Sequence, residues 1–198
     1  MTISIKEVKR LRELTGVGMT DAKKALEESK GDFDVALKAM RKKGMTKADK
    51  RSEREARAGV IGTYNHDNRI GVLIEVNCET DFVARNEIFT NLVKDLTLHI
   101  AASNPEYLSV EDVPVKTRES LKEELVEKAK ADGKSGNLID KIVEGQLDKQ
   151  LAEKCLLEQP FVKNPEQTVK QFVQEHNARL GENIVIRRFK RMAVGEVG

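Results

Sequence analysis

The chain has 198 residues, 34% of them charged and 39% hydrophobic, with a formal net charge of +2 and a pI near 8.4. This length supports one sizeable core and a small satellite domain, and so mild a basic excess does not by itself indicate a binder of phosphate backbones. No apolar run reaches the roughly 18 residues of a membrane span, Met1–Val8 carries no secretory or transit pattern, and two cysteines and three histidines lie far apart, which fits a reducing cytosol without a metal site.

Residues 1–44 read as three helical patterns. Val8, Leu11 and Leu14 mark the first, which Thr15-Gly16-Val17-Gly18 ends. Thr20 or Asp21 caps the second, whose apolar face is Ala22, Ala25 and Leu26. After Gly31-Asp32, a third is lined by Phe33, Ala36, Leu37 and Met40. So short a unit buries little surface and reads as an interaction module; its layout resembles a ubiquitin-associated bundle. Residues 45–57 are almost all charged. Acidic and basic side chains interleave there without stacking aromatics, so the segment reads as a solvated helical linker with i,i+4 ion pairs rather than an RNA contact.

Residues 58–117 and 157–198 form the expected core. Gly59–Tyr64 and Ile70–Val76 are strands joined by the turn-rich loop Asn65-His66-Asp67-Asn68-Arg69, and Ile184–Met192 is a third strand. A long helix is expected from about Val83 to Ala102, with Ile88, Leu92, Leu96 and Ile100 in register. Residues 118–156 read as an inserted helical hairpin, Leu121, Leu125 and Ala129 facing Ile139, Ile142 and Leu147. A last helix is expected from Glu166 to Leu180. Strands segregated from helices make the class α+β, with an antiparallel sheet covered on one face.

No catalytic constellation converges in this map. Gly16-Val17-Gly18 lacks the preceding strand and the following Lys-Ser/Thr of a phosphate loop. Cys78 sits beside Glu79 and Asp81, which disfavour a thiolate. His99, inside the long helix, reads as a half-buried structural residue, and His66 as a turn residue. Phe82 poses a sharper question, as a large aromatic beside Asp81 where a strand runs into a helix capped by Thr80 or Asp81. Core packing and an exposed contact are both open for it. On the residues alone the chain is a binding protein with an unassigned partner.

Two stretches carry a resemblance. Leu11–Leu26 (LRELTGVGMTDAKKAL) and Glu75–Arg85 (EVNCETDFVAR) resemble the two signature motifs of bacterial elongation factor Ts, with Leu157–Val162 and Glu182–Phe189 in support. The resemblance spans essentially the whole chain. It implies a translation factor that performs no bond chemistry, needs no cofactor or metal and acts in the cytoplasm. Its partner would be the GTPase elongation factor Tu, whose nucleotide and magnesium site it distorts to release GDP. It implies partner contacts from Thr80, Asp81, Phe82 and Val83, with Phe82 a wedge near the magnesium site, from Leu11, Met19 and Thr20 of the small module, and from His66 of the hairpin loop. Arg85, one turn beyond Asp81, is expected to add a polar contact. The hairpin corresponds to the family's coiled coil. Longer members carry two versions of the core and this chain one, so a homodimer in a two-plus-two complex is expected, without direct nucleic-acid or membrane contact. The rival reading is an RNA- or ribosome-binding protein using Arg187-Arg188-Phe189-Lys190-Arg191.

Overall fold

A computed structural model describes residues 3–40, 53–131 and 137–196, with 137–139 described by their backbone alone. Of the helical linker expected at residues 45–57, residues 45–52 lie outside the described residues, as do the break at 132–136 and the Ile139 side chain, and residues 53–57 form no helix. The chain divides into two compact units, Met1–Leu98 with Lys170–Gly198, and His99–Val169.

In the first unit, helix α1 (Ile5–Thr15) begins with a capping box in which Ser4 and Glu7 exchange hydrogen bonds with each other's backbone. It ends at Gly16 in the left-handed region, φ 64°. A side chain at Gly16 would also meet the Arg179 backbone, so both conformation and space favour glycine. The Gly16-Val17-Gly18 stretch is therefore a turn into α2 (Met19–Glu28), and α3 follows at 33–40. Val8, Leu11, Val17, Ala22, Ala25, Leu26, Ala36 and Met40 form the module's core.

Strands β1 (Ala58–His66), β2 (Ile70–Cys78) and β5 (Val185–Ala193) make an antiparallel sheet in the order β1-β2-β5. Asp67 and Asn68 both have positive φ, and Arg69 N–H donates to His66 O, which closes the tight mirror-image turn whose twist matches a hairpin. Val72, Ile74, Val76 and Ile186 are buried on one face of the sheet. The other face leaves Ile61 and Leu73 exposed, at 59% and 53%, with Glu75 paired to Arg188 between strands. A bulge at Glu75/Val76 leaves Arg187 outside the β2–β5 register.

The single helix expected over Val83–Ala102 is two helices, α4 (Asp81–Ala84) and α5 (Glu87–Ser103). Arg85 caps the first, and the Asn86 carboxamide accepts from Ile88 N–H at the start of the second. The side chain of Asn86 thus competes with helical continuation. Phe89, Leu92, Val93, Leu96 and Ile100 are buried along α5.

In the second unit, α6 (Val115–Ala131) and α7 (Asn137–Lys154) form the expected helical hairpin. Leu125 and Ala129 pack with Val143 and Leu147, so Val143 rather than Ile142 fills the seam. The helix expected from Glu166 starts three residues later, as α8 (Val169–Leu180), because Asn164–Thr168 pairs as β4 with β3 (Pro160–Phe161). Pro165 fits such a two-stranded edge and interrupts a helical reading. His99 is fully buried rather than half-buried. Its Nδ1 accepts from Val162 N–H at 3.2 Å, which leaves Nε2–H to donate to Gln159 Oε1 at 2.9 Å. Burial pushes its pKa below the ordinary 6.5, so the ring is a neutral tether.

Candidate functional site

The corner that follows β2 is built by a cap. Thr80 is extended at φ −131°, ψ 151°, and its Oγ1 accepts from Val83 N–H at 3.4 Å, opening the four residues of α4. Val83 and Ala84 are buried and anchor this turn. Asp81, Phe82 and Arg85 are exposed, with Phe82 at 83%, and together with Asn86 they line a recess of about 500 Å³. A phenylalanine so exposed contributes little to the core. The core reading of Phe82 is excluded in this structure, whereas Val83 packs inward and offers little side-chain surface to a partner.

A second segment braces the corner across 102 and 103 positions of sequence. Glu182 accepts from Glu79 N–H at 3.0 Å, Thr80 N–H at 3.1 Å and the Thr80 hydroxyl at 2.6 Å. Glu79 answers by accepting from Asn183 N–H at 2.7 Å, and Asn183 Nδ2–H donates to Arg54 O at 2.7 Å. Cys78, buried just before the corner, donates its thiol to Thr80 O. Burial, followed by the Glu182 charge, pushes that thiol up to about 11, far from a nucleophile's range. The sequence carries no local signal for Glu182, because its partners are remote in the chain.

The other expected contacts lie elsewhere. His66 closes β1 opposite Ile70, while Cys78 pairs with Ala58 at the other end of the same ladder. Tyr64 Oη hydrogen-bonds His66 Nδ1 at 3.0 Å and the two rings stack, so the exposed imidazole is held in place. Met19, 41% exposed, and exposed Thr20 open α2. Leu11, expected as a contact, is fully buried in the module's core. It packs with Ala22, Ala25 and Leu26, on the apolar face that the helical period gave it.

Among the described residues no group of three or more His, Cys, Asp or Glu could hold a metal ion. Fold and corner together define an α+β protein that presents an aromatic side chain on a capped, hydrogen-bonded turn. The Elongation factor TS family profile matches residues 22–196. The chain is 50% identical over 196 residues to "Elongation factor Ts" of Thermodesulfovibrio yellowstonii, covering 99% of this chain and 98% of the relative. It is 49% identical over 197 residues to the protein of that name from Geobacter sulfurreducens, covering 99% and 91%. It is 52% identical over 195 residues to that from Caldanaerobacter subterraneus subsp. tengcongensis, covering 98% of each. The chain belongs to the elongation factor Ts family and is a translation elongation factor.

Proposed function

We propose that this chain is the guanine-nucleotide exchange factor of elongation factor Tu, promoting release of GDP so that GTP can bind. The observation that carries the reading is Phe82, an almost fully exposed aromatic on a capped and braced corner in a chain of this family. The physics is linkage. Free energy gained by binding the distorted, nucleotide-poor state of the GTPase appears as weakened nucleotide affinity, and the effect is reciprocal. Phe82 is the wedge, since a phenyl ring delivers a large contact area while fixing only two torsions. Thr80 sets the start of α4, Asp81 and Arg85 add polar contacts beside the ring, and buried Val83 holds the turn from below. Met19 and Thr20 present the small module's contact, supported by Leu11, and His66 presents the hairpin's.

Residues 1–44 act as the gripping module, 45–57 as its linker, 58–117 with 157–198 as the core, and 118–156 as a coiled-coil hairpin. Two copies pair into a homodimer through the open sheet face, where Ile61 and Leu73 are exposed. Two of these copies engage two GTPases in the cytoplasm, with no cofactor. Among the described residues no helix is long and apolar enough to cross a membrane. The RNA reading is weakened because Arg188 pairs with Glu75 and Arg191 with Glu196, each at 2.7 Å.

The test is release of fluorescent GDP from elongation factor Tu. Phe82→Ala is expected to slow stimulated release at least about tenfold, the scale of a buried aromatic anchor at an interface. Its melting should stay close to wild type, as for other surface substitutions. Wild-type release by the variant would sink the wedge.

A further inference from the structure

We propose that Glu182 is a positioning residue for nucleotide exchange, setting the direction of Phe82 without touching the GTPase. The inference rests on the exchange reading above and deepens it. A four-residue helix has no stability of its own, so whatever fixes the start of α4 fixes the ring that it carries.

The start is fixed by one hydroxyl. Thr80 Oγ1 has a single proton to donate and lone pairs to accept with. Its proton goes to Glu182 Oε1 at 2.6 Å, and a lone pair then meets Val83 N–H. The other carboxylate oxygen holds the N–H groups of Glu79 and Thr80, the two peptide units that lead into the turn. Hydrogen bonds to a carboxylate are short and strong, and three of them converge here on one half-buried side chain. The return bond from Asn183 N–H to Glu79 and the Arg54–Glu79 ion pair at 3.7 Å tie both sides of the brace together. Without the carboxylate the hydroxyl rotor is free, two amides lose their acceptor, and α4 frays while the β1–β2 ladder and its buried face remain.

Two measurements test this. In the free protein, Glu182→Ala should lose hydrogen-exchange protection at the Glu79, Thr80 and Val83 amides and keep it along β1–β2. With elongation factor Tu, its maximal rate of GDP release at saturating factor should fall about tenfold, the size of a lost helix cap. The half-saturating concentration should change less than about threefold, because the other contacts survive. Glu182→Gln, which keeps one oxygen for the two amides, should recover most of the rate, whereas Glu182→Met, of similar length but without an acceptor oxygen, should not. Thr80→Val should reproduce the loss, which keeps the test decisive if Glu182→Ala fails to fold. The double variant Glu182→Ala/Phe82→Ala should release GDP no more slowly than Phe82→Ala, since the brace acts through the ring. A fast Glu182→Ala beside a slow Phe82→Ala, a wild-type rate for Thr80→Val, or an additive double variant would overturn the proposal. A wild-type rate for Phe82→Ala itself is a different failure, that of the wedge.

Discussion

Single residues in this chain divide by what surrounds them rather than by type. Phe82 and Phe89 are seven positions apart, yet one is 83% exposed and the other fully buried. The three histidines divide likewise. His66 is exposed on a hairpin end, whereas His99 and the partly buried His176 both have pKa values pushed below 6.5, chiefly by burial. A basic group with a lowered folded-state pKa stays neutral in the native protein while the unfolded chain takes up a proton. Stability therefore falls as pH drops through about 6.5 and stops falling only below the folded pKa values. Urea midpoints should be lower at about pH 5.5 than at about pH 7.5, and His99→Gln should flatten part of that slope. A midpoint unchanged over this range, or a slope identical in the variant, would refute the neutral tether.

At the scale of elements, the decisive fit is helix against sheet. Gly62 sits in β1 where Val93 and Thr97 of α5 and Ile74 of β2 come close, and a methyl group there would collide with Val93 Cγ1. The glycine is an absence of side chain that lets α5 approach. Gly62→Ala should cost about 1–3 kcal/mol through overpacking, even though alanine restricts the unfolded chain. Gly62→Ala/Val93→Ala should recover part of the loss by opening the space. Equal stability of Gly62→Ala and wild type in chemical denaturation would remove this account. The periodicity of α5 was legible in the sequence, while the break at Arg85–Asn86 was not, because a side-chain bond to Ile88 N–H decides it. The start of α8 was displaced for a similar reason, since Asn164–Thr168 finds a strand partner in Pro160–Phe161.

At the scale of the whole molecule, the proposed exchange reading asks one core to serve a partner at both ends of a strand. His66 and the Asp81–Phe82 corner flank opposite ends of β2 (Ile70–Cys78), and at ~3.3 Å per residue those ends lie roughly 30 Å apart in one chain. In the proposed two-fold dimer, the hairpin end of one copy can reach the partner GTPase held by Phe82 of the other. A mixed dimer of one His66→Ala chain and one Phe82→Ala chain should then retain about half of wild-type exchange, one site being intact and one doubly damaged. Activity well below half would place both contacts in the same chain.

The sequence by itself determined which segments are helix and which are strand over most of the chain, the hairpin loop between β1 and β2, a helix cap at Thr80 or Asp81, and the family. Each of these follows from residues close together in sequence, through side-chain period, backbone preference or a contiguous motif. Only the tertiary structure decided that Leu11 is buried and Phe82 is not, that Val143 fills the hairpin seam, and that Glu182 holds the corner. Those outcomes depend on chain more than a hundred residues away or on a neighbouring element's exact approach. Local propensity carries no record of either, because burial and long-range hydrogen bonds are set by what packs alongside and not by what comes next.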